Sequence, residues 1–367
     1  MIKDLRAMRT SSRAGKLSQL MEREGIGGLF VTNLKSIRYL TGFSGSFAYV
    51  GVRKSDSKLA IATDGRYAIQ VVKELEYNSV EADVYVGKVQ NGLSFIKKHL
   101  AGIDSIGFEA TNVTYSMLQM LQKSFEPQKL VPAKPLIEEL RLIKDLGEVD
   151  RIHMAAYIAD QAFKKVLPKF KPGAKESDIA ALLDYEIRRF GASGNSFETI
   201  LASGENGALP HAKPSDRVLS EGDLVVCDFG ATFDGYASDM TRTISVGRVR
   251  SKTLREIYAI VLEAQLAGLR EVKPGATTTK VDKASRDIIV NAGYGDKFTH
   301  STGHGVGLDI HELPYVASRG AVKLEEGMVV TVEPGIYIKD LGGVRIEDTV
   351  VVTTDGNMPL TSSGKEI

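Results

Sequence analysis

Four carboxylates and one histidine in the second half of the chain, Asp228, Asp239, His304, Glu333 and Glu347, stand where charge is costly. Asp228 closes the apolar run LVVCD and Glu333 closes MVVTVE, so each lies where a strand would otherwise continue its core face. A lone acid at a strand end is usually a cap or half of a salt bridge. Four acids together carry four negative charges at neutral pH. The nearby Arg242 and Arg345 offset two of them, whereas two divalent cations offset all four. His304 lies in STGHGVGLDIHELP, where flanking glycines leave little of the packed shell of a core histidine. His311 follows in the same segment, and His211 precedes the first acid pair in GALPHAKP. Oxygen donors with one imidazole suit manganese, cobalt, iron or zinc, and argue against copper or an all-sulfur site. Two such ions about 3.5–4 Å apart activate water and polarise a carbonyl, which is hydrolytic chemistry. Arg345, two residues before Glu347 on the same strand face, is placed to orient the acids. Cys227 alternates to the opposite face from Asp228 and is expected in the core.

The elements that must hold these residues repeat. KPGA occurs at Lys171–Ala174 and again at Lys273–Ala276, each time opening a helical segment that ends at glycine. About fifty residues on, each copy enters a strand through an acidic-glycine pair, EGDLVVCDFG from Glu221 and EGMVVTVEPG from Glu326. Asp228 and Glu333 occupy the same place after it, and Asp239 and Glu347 follow as second carboxylates. Two helix-and-hairpin units facing each other, each supplying an acid pair, are the expected arrangement.

The first part of the chain reads differently. Leu17, Leu20 and Met21 recur at helical spacing, and GIGGLFVTN, FAYVGVR, KLAIATD and VEADVYVG read as strands with the helical YAIQVVKEL and GLSFIKKHL among them. This predicts a compact α/β domain over residues 1–132. A single long helix, LIEELRLIKDLGEVDRIHMAAYIADQAFKKVL, is expected to open a second domain over 133–367.

The bulk numbers of the 367-residue chain narrow the functions further. A formal net charge of +1 gives no global field for nucleic acid or anionic lipid. No apolar run approaches the ~20 residues of a membrane span, and the first twenty-five residues lack a secretory pattern. Cys227 is the single cysteine, which excludes an intramolecular disulfide and fits a cytoplasmic protein with a small substrate.

DFGATFDGYASDMTRT, STGHGVGLDIHE, TVEPGIY and GGVRIED resemble the successive signatures of the pita-bread metallopeptidase family. That family includes Xaa-Pro aminopeptidases, Xaa-Pro dipeptidases (prolidases), methionine aminopeptidases and creatinases. The resemblance runs from about Leu140 to the C-terminus, and NLKSIRYLTGFSGSFA and ATDGRYAIQ resemble the creatinase-like N-terminal domain of the proline-specific members. It implies an α+β protein: a creatinase-like α/β domain followed by a pseudo-two-fold catalytic domain. The same resemblance implies that Asp228 holds one metal, His304 and Glu333 the other, and that Asp239 and Glu347 bridge them. It further implies that Glu333 moves the proton, that His211 and His311 contact the scissile carbonyl, and that the protein is a homodimer acting on proline-containing peptides. Many prolidases carry HExPR, whose arginine can hold a dipeptide's carboxylate; here the sequence is HELPY, with Tyr315 at that position. The expected activity is therefore Xaa-Pro aminopeptidase, with Xaa-Pro dipeptidase as the alternative if Arg319 substitutes, and a non-catalytic peptide-binding protein as the remote one.

Overall fold

In the computed structural model, which describes residues 5–367, the chain divides into two compact units, Ala7–Arg141 and Leu142–Ile367 with the described residues up to Arg6. The first unit is built on a six-stranded mixed sheet of β1 (Gly28–Val31), β2 (Tyr49–Arg53), β3 (Leu59–Thr63), β4 (Ala82–Val86), β5 (Ser105–Glu109) and β6 (Lys129–Ala133), in the order β4-β3-β2-β1-β5-β6. Helices α1 (Arg13–Arg23), α2 (Leu34–Thr41), α3 (Ala68–Tyr77), α4 (Val89–His99), α5 (Tyr115–Phe125) and α6 (Leu136–Arg141) complete it. β1 is apolar throughout, β3 is apolar up to the terminal Thr63, and both are fully buried, as strands covered on both faces must be. Asn33 caps α2 by accepting from the Lys35 N–H, and Gly42 ends it at φ 77°, where a Cβ would be strained. Pro132 lies inside β6, and the chain passes between units at Arg141–Leu142.

The single long helix expected from residue 136 is two helices, α6 and α7 (Leu146–Val166). Asp145 is the reason for the break. Its side chain accepts from the Glu148 N–H while the Glu148 carboxylate accepts from the Asp145 N–H, a reciprocal cap that starts α7 anew. Lys144, just before it, is buried against Glu312 at 2.8 Å, which holds the non-helical segment in place.

The second unit carries the repeat. Its first half runs through α7, α8 (Glu176–Arg189), β7 (Gly194–Asn195), β8 (Ile200–Ser203), β9 (Leu224–Phe229), β10 (Ala231–Phe233), β11 (Tyr236–Ala237) and β12 (Met240–Ser245). Its second half runs through α9 (Lys252–Glu271), α10 (Thr278–Asn291), β13 (Gly303–Gly305), β14 (Glu312–Val316), β15 (Val329–Val332), β16 (Gly335–Ile338), β17 (Gly342–Arg345), β18 (Asp348–Val352) and β19 (Asn357–Pro359). The two KPGA turns are alike in detail. Gly173 (φ 90°) donates to Leu219 O and Leu219 donates to Ala174 O, and Gly275 (φ 82°) and Leu324 repeat both bonds with Ala276. Antiparallel β9–β12 in one half answers antiparallel β15–β18 in the other. Helices α7 and α8 cover one sheet through Phe163, Leu183, Cys227 and Phe229, while Val281, Val330, Val332 and Val350 fill the counterpart layer. Phe163 stacks on Phe229 with centroids 5.1 Å apart.

Candidate metal centre

Alternation along β9 sends Val225, Cys227 and Phe229 into the helix-covered core and turns Asp228 to the other face. Asp239 directly precedes β12, and Thr241 on that strand is paired with Asp228. The second half mirrors this, with Glu333 directly after β15 and Glu347 directly before β18. His304 sits at the centre of β13, whose glycines allow close approach: a Cβ on Gly303 would lie 2.0 Å from Thr331 O.

These residues converge. Asp239, His304 and Glu347, all buried, each offer an atom within 4.8 Å of the others. His304 Nε2 lies 3.3 Å from Glu333 Oε1 and 3.5 Å from Asp239 Oδ2. Its Nδ1–H donates to Gly305 O at 3.0 Å, which orients the ring and turns Nε2 towards the acids. Thr331 Oγ1 accepts the His304 backbone N–H and donates to Glu333 Oε1, and Thr241 Oγ1 donates to Glu347 Oε2 at 2.8 Å.

One arginine faces this acid cluster. Arg345 Nη2 donates to Asp228 Oδ2 at 2.6 Å, whereas Arg242 is committed elsewhere, to Asp348 at 2.8 Å in a buried pair. Asp228 Oδ1 and Glu347 Oε1 are buried acceptors with no hydrogen-bond partner. Burial first, then repulsion from Glu347, Asp228 and Glu333, pushes Asp239 well above the usual carboxylate range. Burial, followed by repulsion from Glu333 and Asp228, does the same to Glu347. Burial opposes ionisation of Glu333 too, yet the hydrogen bond and charge of His304 outweigh it and hold Glu333 below its ordinary value. Orphaned acceptors beside acids that repel one another fit a bound cation, and carboxylate oxygens with one imidazole are donors for a hard or borderline divalent ion.

A cavity of about 520 Å³ opens over the cluster. Seven of the eight residues singled out in the sequence line it, namely His211, Asp228, Asp239, His304, His311, Glu333 and Arg345; Glu347 lies behind them at 1 % exposure. The His311 ring packs against His304 with centroids 4.3 Å apart. Tyr315 also lines the cavity, and Arg319 does not.

Three participants escape the sequence reading. His300 lines the cavity and accepts from the Tyr337 hydroxyl at 2.9 Å, because its Nδ1–H is given to Ser301 O. Tyr337 in turn accepts from Arg345 Nη1 at 2.8 Å, so His300, Tyr337, Arg345 and Asp228 form one chain. Burial lowers the His300 pKa and pushes Tyr337 up to about 12, so both are neutral at pH 7. Thr241, the third, bonds Glu347 and accepts from Arg345 Nε. The spacing of three histidines at 300, 304 and 311 was a usable signal for the first; the two hydroxyls carried none.

The family model for metallopeptidase family M24 matches residues 150–354, and that for the creatinase/prolidase N-terminal domain matches residues 13–143. The chain is 39% identical over 359 residues to an Xaa-Pro dipeptidase of Pyrococcus furiosus, covering 97% of this chain and 99% of that one. Its structure matches an Xaa-Pro dipeptidase from Bacillus anthracis with a TM-score of 0.92 at 41% identity, over 98% and 99% of the two chains. It matches an X-Pro aminopeptidase from Thermotoga maritima with a TM-score of 0.86 at 36% identity, over 95% and 99%.

Proposed function

Because the chain belongs to metallopeptidase family M24 and carries a creatinase/prolidase N-terminal domain, we propose that it is an Xaa-Pro dipeptidase. The buried acid cluster with two orphaned oxygens at the floor of a cavity is the observation that carries metal-dependent hydrolysis. Full-length likeness to proteins named Xaa-Pro dipeptidase carries the substrate class. This shifts the weight from the aminopeptidase expectation, which rested on Tyr315 standing where a carboxylate-binding arginine is common.

In this reading Asp228, Asp239, His304, Glu333 and Glu347 hold two divalent ions, with manganese the first choice and cobalt or zinc next. When bound, the ions supply Lewis acidity, making water nucleophilic at neutral pH and polarising the scissile carbonyl. Glu333 takes the proton of the attacking water and delivers it to the proline nitrogen. Like any amide nitrogen it must gain a proton to leave as an amine, and as a tertiary amide it brings no N–H of its own for the enzyme to grip. His311, whose pKa burial lowers, offers a neutral N–H to the carbonyl oxygen as charge develops there, and His211 approaches the same atom from the facing segment. Arg345 holds Asp228 in place. Phe197, Ile310 and Tyr315 give the cavity an apolar side suited to a pyrrolidine ring.

Metal-stripped protein reloaded with manganese or cobalt, given an Xaa-Pro dipeptide beside an Xaa-Pro-Yaa-Zaa tetrapeptide and followed by mass spectrometry, tests the reading. Cleavage of the dipeptide is expected. Release of the first residue chiefly from the tetrapeptide is the aminopeptidase outcome, which half-exposed Tyr315 in the cavity favours. No cleavage with any metal would leave a peptide-binding protein. The proposal extends to a cytoplasmic homodimer, for which light scattering should give twice the mass of one chain.

A further inference from the structure

A dipeptide carries a carboxylate one residue from the bond that is cut, and the usual arginine for it is Tyr315 here. Among the described residues lining the cavity, Arg345 and Lys213 are the two permanent cations. Arg345 is spent: it is 3 % exposed and bonded to Asp228, Tyr337, Thr241 and Pro210 O. Lys213 is not. Its side chain is 77% exposed, and its ammonium rests 3.0 Å from Glu198, itself a lining residue with a 70% exposed side chain. Such an exposed pair is weak and exchanges readily for another carboxylate.

Lys213 lines the same cavity as His211. Pro214 follows it, which pushes Lys213 towards extended geometry. His211 and Lys213 are exposed and line the cavity, while Ala212 between them is 8 % exposed and belongs to the core. The Pro210 carbonyl that starts the segment is pinned by Arg345 Nη1 at 3.2 Å. Residues two apart in the chain lie at most about 7 Å from each other. A proline carboxylate lies about one Cα step, ~3.8 Å, beyond the scissile group. The four-carbon stem of lysine spans the remainder.

Resting on the dipeptidase reading, we propose that Lys213 receives the C-terminal carboxylate of the Xaa-Pro substrate, and that Glu198 occupies it until substrate arrives. Lys213 is then a specificity residue supplied by the His211 segment in place of an arginine after the HE pair. Binding exchanges one carboxylate for another at Nζ and leaves Glu198 to solvent.

The test compares Ala-Pro with Ala-Pro amide, which lacks only the carboxylate charge, on metal-loaded enzyme. Lys213→Met is expected to raise KM for Ala-Pro about ten-fold relative to the amide, the scale of one charge-assisted contact, with kcat nearly kept. Lys213→Arg should restore the ratio, and Glu198→Gln, removing the competitor, should lower KM for Ala-Pro. If wild-type enzyme cleaves Ala-Pro and Lys213→Met leaves the KM ratio of the two substrates unchanged, the assignment is overturned while the dipeptidase reading stands. Wild-type enzyme that ignores Ala-Pro and cleaves only longer peptides would overturn both.

Discussion

Asp239 and Glu347 cannot both stay ionised cheaply in the metal-free site, since burial and neighbouring acids, three around Asp239 and two around Glu347, work against each. Metal loading must therefore expel protons, and affinity should fall as pH falls; titration calorimetry in buffers of different ionisation enthalpy would measure the release. The sign for folding is opposite to that of a salt-bridged acid. With folded pKa values raised above the unfolded ones, the native metal-free protein binds more protons, so its stability declines as pH rises from the ordinary carboxylate value of about 4. The thermal midpoint of chelator-treated protein, followed upward from that pH, should drop. Asp239→Asn and Glu347→Gln should each remove both metals by elemental analysis and cut kcat/KM by at least about 100-fold, since even residues one shell out are worth 10–100-fold. Tyr337→Phe keeps the ring but breaks the link between His300 and Arg345, and a loss of about 10–100-fold in kcat/KM is expected with metal content retained.

At the level of elements, the site depends on glycines as much as on ligands. Gly303→Ala would drive a methyl into the Thr331 carbonyl, on the residue whose hydroxyl ties His304 to Glu333. Backbone meets backbone there, so relief must move β13 or β15; a loss of about 3 kcal/mol in denaturant unfolding and reduced metal occupancy are expected. The same elements show what was legible in the sequence. The KPGA and EG phrases disclosed the repeat because each marks a backbone position, a positive φ or a strand entry, that local chemistry dictates. The break between α6 and α7 was hidden because Asp145 and Glu148 look like ordinary helix-surface charge until their reciprocal bonds are seen. His300 and Thr241 were missed for another reason. Their partners Tyr337 and Glu347 lie 37 and 106 positions away, the second in the other half of the repeat, and no periodicity encodes such contacts.

For the whole molecule, each unit buries a core of its own, one around Phe30, Ile96 and Phe125 and the other around the two sheets of the repeat. Separate cores can unfold separately. Calorimetry should resolve a transition for residues 142–367 that moves up with added manganese as mass action requires, and one for residues 7–141 that does not. Among the described residues no helix is long and apolar enough to cross a membrane.

The acids of the site come in equal number from the two halves of the repeat, and Arg345 reaches Asp228 across 117 positions of chain. Metal held there acts as a removable cross-link. It closes a loop of more than a hundred residues, and so takes away most of the freedom the halves would gain by parting. A single proteolytic nick in the exposed stretch around Arg248 and Arg250, ahead of α9, should therefore leave the metal-loaded protein in one piece on a native gel, whereas chelation should let the fragments separate.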